Sequence, residues 1–493
     1  MKQGYAIKEY HDAAKVTAEL DELIKKPIYS IKPEALKKYE EEYYGKKCTG
    51  SKALIDKAVE AIPGGVQHNL AFNYPFPLVF TKAEGAYLYD IDGNRYFDFL
   101  QAGGPTVLGS NPPQVREKVI ELLNTCGPST GLFHEYEYKL AQKIKDNFES
   151  VDMFRMLGSG TEACMVAIRI ARLATGNKKI LKMGGAYHGW SDQLAYGIRI
   201  PGSKWTQASG VPLHIFRDTQ EFFPNDLKDL ERKLRANKLK GGTAAVMIEP
   251  VGPESGTRPV DINFNKGVEA LCRKYGALLI FDEVVTAYRI GVSGAQGYFG
   301  VSPDLTVFGK VIAGGYPGAG GVGGKKEYMK YLSAGIAGGS KHKKALVGGT
   351  MAANPLSCVA GYYMIEEIEK QNACEKAGLM GDRLTAGLKE LIKKYDLPFV
   401  AFNQGSICHL ETVGTMHFSI NWKKPWGIMH VLKATSARKK EMEHMGAAYM
   451  AEGLVTLAGS RLYTSAAYTE EMIDEALAAF DRVFANVGVI EEK

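Results

Sequence analysis

Four short apolar runs in the middle of the chain alternate with segments of helical periodicity. Runs of four or five mostly apolar residues between helices are typical of strands buried on both faces of a parallel sheet. The alternation therefore predicts a doubly wound α/β core over about residues 106–360. The runs are Ile180–Met183, Ala244–Ile248, Ala277–Phe281 and Leu305–Phe308.

One helix of this core is clear from the spacing of its apolar residues. They recur at intervals of three and four, which places them on one helical face, and Gly176 follows them as a stop signal. The pattern predicts a helix with its apolar face against the sheet. The apolar positions are Ala163, Val166, Ala167, Ile170, Ala171 and Ala174.

The first hundred residues precede this core and form two segments. Residues 1–50 are highly charged, with a helical pattern that Pro27 and Pro33 interrupt. They predict a solvated helical extension, with an interaction arm as the alternative. Residues 51–105 contain hairpin strands around the turn Asp92-Gly93-Asn94, and we expect this segment to pack with a small domain.

The pattern changes again from about residue 361. Two long helical patterns, at about 357–395 and 468–486, flank strand-like alternation at Ser406–Leu410 and His417–Ile420. Residues 361–493 therefore predict a smaller, α+β C-terminal domain.

Composition excludes several classes of protein. With 493 residues, 45% hydrophobic and 24% charged, the chain is not a disordered one, and a net charge of +6 is too weak to indicate a nucleic-acid partner. The N-terminus is charged rather than signal-like, and no apolar stretch has the length of a membrane span. The seven cysteines are scattered, which indicates reduced thiols. We expect a cytoplasmic protein without a membrane or nucleic-acid partner, and no metal site.

Candidate chemistry stands where the predicted strands end. Asp282 follows the third apolar run, and Gly309-Lys310 follows the fourth. Tyr187-His188 comes shortly after the first run, and Ser159-Gly160-Thr161 precedes the clear helix. Because ligands bind beyond the carboxyl ends of strands in open α/β sheets, these residues share one candidate site.

Each of these signals has an ordinary structural alternative. Ser159-Gly160-Thr161 offers a helix N-terminus for an anion, but serine and threonine cap many helices. Lys310 has the position of a desolvated, nucleophilic amine, but a strand-end lysine can also extend to solvent. Asp282 could be a helix cap, and Tyr187 and His188 could be loop packing.

Together the four features suit one cofactor, pyridoxal 5′-phosphate (PLP). PLP needs a lysine for a Schiff base, an anion cradle for its phosphate, an acid at its pyridine nitrogen and an aromatic face against its ring. The acid keeps the pyridine nitrogen protonated, so that the ring can accept electrons from the substrate.

The sequence resembles the class III aminotransferases of PLP fold type I, and within them is most similar to the glutamate-1-semialdehyde aminomutase branch. The resemblance runs in consistent order from about residue 51 to the C-terminus and implies a large PLP-binding domain whose mostly parallel sheet is flanked by helices. The matching stretches are Ile62–Val66, Gly85–Tyr87, Asp90–Tyr96, Gly158–Ala163, Tyr187–Gly189, Phe281–Val284, Pro303–Lys310, Gly349-Thr350 and Asn354-Pro355.

The resemblance implies a role for each matching residue. Lys310 would be the Schiff-base lysine and proton shuttle, and Asp282 would pair with the pyridinium nitrogen. Tyr187 would stack on one face of the ring, with His188 also in the cofactor site, and Val284 would pack on the other face.

The phosphate group has its own implied residues. Ser159, Gly160 and Thr161 would hold it, and Thr350 would reach the phosphate of the neighbouring subunit. That role implies a homodimer with shared active sites, acting on a small-molecule amino donor and a carbonyl acceptor.

Two departures from the aminomutase pattern concern the substrate. Leu70 stands where the aminomutases have a carboxylate-binding arginine, and Gly103 replaces a tryptophan. A leucine cannot pair with a carboxylate, and the glycine leaves more space. We therefore expect a bulkier or less acidic substrate than glutamate 1-semialdehyde. Arg289 is either a substitute anion binder or a structural arginine.

Within PLP chemistry three activities remain open. Transamination is the expected one, and an intramolecular aminomutase or an amino-acid racemase or epimerase would use the same Lys310 and Asp282. A dinucleotide-binding dehydrogenase is disfavoured, although Gly318–Gly323 spells GxGxxG, because that motif must directly follow a strand. The glycine-rich run from Gly309 to Gly324 suggests a loop that moves when substrate enters.

Overall fold

The computed structural model describes residues 4–333, 343–422, 425–457 and 459–490. The chain divides into two compact units that interleave along the sequence. The first comprises the chain up to Ala14, Pro113–Glu375 and Ser419–Pro425. The second comprises Lys15–Pro112, Lys376–Phe418 and the chain from Trp426 onward.

The strands are numbered along the chain as follows: β1 Tyr29–Ile31, β2 Phe80–Glu84, β3 Tyr87–Asp90, β4 Arg95–Asp98, β5 Met153–Leu157, β6 Lys179–Met183, β7 Thr219–Phe222, β8 Thr243–Ile248, β9 Leu278–Asp282, β10 Leu305–Gly309, β11 Gly320–Gly324, β12 Val400–Gln404, β13 Ile407–Glu411, β14 Leu454–Val455, β15 Arg461–Tyr463 and β16 Val487–Val489.

The α-helices, some of a single turn, are α1 Ala13–Leu23, α2 Pro33–Lys38, α3 Gly45–Lys47, α4 Thr49–Ala58, α5 Pro113–Thr125, α6 Glu135–Asn147, α7 Gly160–Thr175, α8 Leu227–Lys238, α9 Pro253–Gly256, α10 Phe264–Tyr275, α11 Gly294–Phe299, α12 Lys326–Met329, α13 Pro355–Gln371, α14 Ala373–Lys394, α15 Pro425–Ala451 and α16 Glu470–Phe484. Shorter 3-10 segments include Asn69–Ala71, Lys310–Ala313 and Thr415–His417.

A seven-stranded sheet forms the centre of the first unit, in the order β5-β11-β10-β9-β8-β6-β7. All neighbours pair in parallel except β11, which is antiparallel to both β10 and β5. The predicted strands at Ile180, Ala244, Leu278 and Leu305 are confirmed, and so is the predicted mostly parallel α/β sheet.

Helix α7 is the predicted amphipathic helix. Its predicted apolar face is buried except for Ala174, which is partly buried, and it packs on the sheet residues Ala245, Ile280 and Val307. The helix ends where predicted, because Gly176 adopts a left-handed φ of 71° and closes the last turn onto the carbonyl of Arg172.

The sequence pattern missed β5, β7 and β11. The residues of β11 are Gly-Gly-Val-Gly-Gly, which carry almost no hydrophobic signal, yet the strand is buried and paired on both edges. The predicted mobile loop is therefore wrong for residues 320–324. The same strand shows why GxGxxG is no dinucleotide motif here, because its last glycines lie within an antiparallel strand.

The second unit contains three small sheets, ordered β12-β13-β15, β14-β4-β3-β2 and β1-β16. Phe97 and Phe99 of the hairpin segment share one core with Tyr449 and Phe480. The predicted strand at residues 406–410 is confirmed as β13, whereas residues 417–420 form no strand.

Two further features concern the helices. The predicted helix at 357–395 is two helices, because Asn372 takes a left-handed φ of 50° between α13 and α14. Among the described residues, no helix combines the length and apolar character needed to cross a membrane.

Candidate active site

The carboxyl edge of the central sheet gathers the residues that the sequence singled out. Asp282 is the last residue of β9, and Lys310 directly follows β10. The loop with Tyr187 and His188 follows β6. Because β6, β8, β9 and β10 run parallel, their C-terminal ends lie along the same edge.

Asp282 is a buried carboxylate, with 5% of its surface exposed. Its Oδ2 lies 2.7 Å from Nδ1 of His188 and 3.8 Å from the Cys164 sulfur, and its Oδ1 accepts from the Val284 N–H at 3.0 Å. These donors come from three different segments of the chain. They fix the orientation of the carboxylate at the end of β9.

His188 is fully buried beside Asp282. Burial lowers the pKa of His188, although the hydrogen bond to Asp282 opposes the shift. The ring is therefore neutral at pH 7, and a neutral ring that faces a carboxylate carries its proton on Nδ1. Its Nε2 has no hydrogen-bond partner within the described residues.

The first turn of α7 contains the residues predicted to bind an anion. Ser159 is the N-cap, and its hydroxyl accepts from the Glu162 N–H at 3.3 Å, while the Glu162 side chain accepts from the Gly158 N–H at 2.7 Å. The N–H groups of Gly160 and Thr161 have no acceptor inside the helix and point along its positive dipole end. The turn is therefore suited to a phosphate group.

Val284 joins this turn to the strand that precedes Lys310. A β-carbon added to Gly160 would lie 3.0 Å from a Val284 methyl, and one added to Gly309 would lie 2.8 Å from the other. The two glycines thus leave just enough space for Val284. On the other side, a β-carbon on Gly189 would collide with Thr161, so the loop carrying Tyr187 packs directly on the helix start.

Lys310 begins the 3-10 turn Lys310–Ala313 and is partly buried. Its φ of 49° is left-handed, a conformation that costs a residue with a β-carbon about 1 kcal/mol or more. Such strain persists where the surrounding structure dictates the placement of a side chain.

Thr350 is exposed and stands at the end of a segment that runs along α7 of its own chain. The Leu346 carbonyl accepts from Arg169 at 2.5 Å, and a β-carbon on Gly349 would lie 3.8 Å from the Glu162 carboxylate. The structure thus brings Thr350 near the first turn of α7 in the same chain. Its predicted contact with a neighbouring subunit stays a prediction.

Arg289 and Leu70 are two of the residues that the sequence tied to substrate choice. Arg289 is completely buried and its positive charge acts on the pKa of Cys374, which favours the structural alternative for this arginine. Leu70, in the 3-10 turn Asn69–Ala71, belongs to the second unit and is 39% exposed.

Sequence reasoning missed a cluster of buried titratable side chains at the same edge. Lys182 of β6 and Glu249, which follows β8, are both fully or nearly inaccessible to solvent, and so is Glu221 of β7. Burial lowers the pKa of Lys182 to about 8, and burial together with the charge of Asp282 raises the pKa of Glu249 to about 8. The signal available in the sequence was a lysine inside an otherwise apolar strand.

The residues gathered at this edge of the sheet fit a PLP molecule. Asp282 and Glu249 are acidic groups in a poorly solvated place, and a protonated ring nitrogen would supply compensating positive charge there. The glycine-lined turn of α7 fits a phosphate. A metal is a poorer match for the three nearby atoms of Cys164, His188 and Asp282, because burial raises the pKa of the thiol well above its usual value and disfavours the thiolate.

Comparison with known proteins agrees with this chemistry. The family model "Aminotransferase class-III" matches residues 70–483. The chain is 34% identical over 450 residues to glutamate-1-semialdehyde 2,1-aminomutase 1 of Lachnoclostridium phytofermentans, covering 89% of this chain and 100% of that protein.

Solved structures give the same fold. An ω-transaminase from Sphaerobacter thermophilus superposes with a TM-score of 0.78 at 26% identity, covering 90% of this chain and 99% of that one. A transaminase with PLP bound gives a TM-score of 0.77 at 25% identity, with 89% and 97% covered.

Proposed function

Because this chain belongs to the class III aminotransferases, and is thus a PLP-dependent enzyme of fold type I, we propose that it transfers an amino group between an amino compound and a keto acid or aldehyde. The observation that carries the proposal is the buried carboxylate of Asp282, fixed by His188 at the end of β9, beside the strand that leads into Lys310.

PLP supplies an electron sink for negative charge that develops on the substrate carbon next to the nitrogen. Lys310 would hold the cofactor covalently and, once its amine is released, carry the proton between the two carbon atoms that exchange it. Asp282, oriented by His188 and the Val284 N–H, would hold a proton on the pyridine nitrogen. Both roles need these side chains in a water-poor place.

The remaining contacts would orient the cofactor. Gly160 and Thr161 would donate N–H groups to its phosphate, with Ser159 capping the same turn. Val284 would cover one face of the ring and Tyr187, which is 44% exposed, the other. A ring held from both faces presents the substrate bond to Lys310 in one orientation.

An intramolecular aminomutase is the second candidate, favoured by the name of the relative that is 34% identical. Leu70 and Gly103 argue against glutamate 1-semialdehyde as its substrate, because a leucine cannot pair with a carboxylate and the glycine leaves more space than a tryptophan.

One experiment separates the activities. The purified enzyme is incubated with a panel of amino acids and amines, and separately with glutamate 1-semialdehyde, without any carbonyl acceptor. Transamination converts the bound cofactor stoichiometrically to its amine form and releases a carbonyl product. Turnover of glutamate 1-semialdehyde to 5-aminolevulinate would indicate the aminomutase instead, and loss of optical activity without cofactor conversion would indicate a racemase.

A further inference from the structure

A single peptide group in the Tyr187 loop is hydrogen-bonded on both sides by buried titratable side chains. The carbonyl of Ala186 accepts from the Lys182 ammonium at 2.8 Å. The N–H of the same peptide group, which belongs to Tyr187, donates to Glu249 Oε1 at 2.9 Å. Lys182 and Glu249 therefore bind the two polar atoms of one planar unit.

Both side chains stand on rigid supports. Lys182 lies in β6 and Glu249 directly after β8, and these strands pair with each other in parallel. Lys182 makes a second bond, to the Tyr196 carbonyl at 2.7 Å, and Glu249 also accepts from the N–H groups of Glu254 at 3.0 Å and Ser255 at 2.5 Å. The held peptide is thus fixed relative to two strands.

Packing of the sheet alone does not require a lysine and a glutamate at these two buried positions. Burying an ammonium and a carboxyl group is unfavourable, and apolar side chains of similar size often stabilise a core equally well. In addition to Lys182 and Glu249, the titratable groups nearby are Glu221, Glu254, Asp282 and Cys164. Hydrogen bonds from buried side chains such as these fix the position of the peptide group rather than stabilise the fold.

The two residues that follow this peptide group in the loop show what the hydrogen bonds of Lys182 and Glu249 position. The held peptide ends at Tyr187, and the next residue is His188, whose ring contacts Asp282 at 2.7 Å. A shift of the peptide by a fraction of an ångström would therefore change both the position of the Tyr187 ring and the geometry of the His188–Asp282 hydrogen bond.

We propose that Lys182 and Glu249 are positioning residues of the cofactor site, which fix the Ala186–Tyr187 peptide and through it the Tyr187 ring and the contact of His188 with Asp282. The proposal rests on the proposed function, since it concerns the site in which PLP would bind. Neither residue touches the reacting atoms in this scheme.

Lys182→Met tests the proposal, because methionine keeps the apolar length of lysine and removes the ammonium. Lys179→Met, on the same strand but in contact with Asn237, is the matched control. We expect Lys182→Met to keep the far-ultraviolet circular dichroism of the parent and to weaken PLP binding about 10-fold. The visible absorption band of the lysine-linked cofactor should shift, and kcat should fall about 10- to 100-fold with little change in KM.

A double-mutant cycle identifies the route of the effect. If Lys182 acts through His188, the losses of Lys182→Met and His188→Ala in PLP affinity should be strongly non-additive. Additive losses would contradict the proposal, and so would a Lys182→Met enzyme whose absorption, PLP affinity and kcat match those of Lys179→Met.

Hydrogen exchange on the unsubstituted protein gives a test that needs no variant. The Tyr187 N–H, bonded to buried Glu249, should exchange in the cofactor-free protein as slowly as the N–H groups of β8. Exchange at the rate of the exposed Trp190 N–H would overturn the proposal. If PLP fails to bind Lys310 in the parent protein, the proposed function fails, whereas slow exchange at Tyr187 would still establish the hold itself.

Discussion

His188 and Asp282 are 94 positions apart in the sequence, yet Nδ1 of the one lies 2.7 Å from Oδ2 of the other in the protein interior. Because burial lowers the pKa of His188, its imidazole is neutral near pH 7. Protonating the ring would require a pH below its usual range. The contact with His188 fixes the orientation of the Asp282 carboxylate at the end of β9.

Replacing Asp282 by asparagine should leave the cofactor bound but reduce kcat by about 100-fold, because an amide cannot keep the ring nitrogen protonated. Cofactor stoichiometry by absorption and single-turnover rates measure the two effects. Asp304→Asn is the control, since Asp304 is a buried carboxylate that pairs with Arg273 at the other edge of the sheet. Normal turnover by Asp282→Asn would show that its assigned role is wrong.

Lys310→Ala should abolish the covalent link to PLP and nearly all turnover, because no other amine is proposed for this position. Borohydride reduction followed by peptide mass spectrometry should label the peptide containing Lys310 in the parent enzyme and not in the variant. Lys326→Ala, at an exposed lysine of α12, should be labelled like the parent. A label on any other lysine of the parent would refute the assignment.

The predicted homodimer can be tested by subunit complementation. If Thr350 serves the phosphate of the neighbouring subunit, a mixed dimer of Lys310→Ala and Thr350→Val chains should regain about half of the parent activity at PLP concentrations too low to saturate Thr350→Val, because one site is intact. Thr350→Val alone should weaken PLP binding about 10-fold. A mixed dimer without regained activity would instead indicate that Thr350 acts within its own chain, along which the preceding segment runs.

Gly320→Ala should destabilise the first unit, because a β-carbon there would collide with the carbonyl oxygen of Ser159. We expect a loss of about 3 kcal/mol in the free energy of unfolding, together with weaker PLP binding as the α7 turn is displaced. Urea titrations of apoprotein measure the first effect. Gly348→Ala, where a β-carbon meets no atom within 4 Å, should behave like the parent.

Glu411, buried in the second unit, should make stability depend on pH. Burial raises the pKa of Glu411 from its ordinary value of 4.5 to about 7, so the folded state binds more protons than the unfolded state between these values. Stability should therefore fall as pH rises from 4.5 to 7, by up to about 3 kcal/mol from this group. Unfolding titrations at several pH values should show a smaller decline in Glu411→Gln and an unchanged one in Glu390→Gln, at an exposed position.

The sequence alone determined strands β6, β8, β9 and β10, helix α7 and the candidate residues at the strand ends. Each of these features depends on local sequence, because the alternation and the helical spacing of apolar residues decide which face of an element is buried. The residue that follows a buried parallel strand then emerges at a known edge of the sheet. Asp282, His188 and Lys310 could be named on that basis.

The tertiary structure decided the features that the local sequence pattern does not encode. Strand β11 has almost no side chains to mark it and is a strand because β10 and β5 supply its hydrogen bonds on both sides. The hold on the Tyr187 peptide exists because β6 lies next to β8, which brings together Lys182 and Glu249, residues remote in sequence. Strand order sets such neighbours, and strand order depends on the packing of the whole unit.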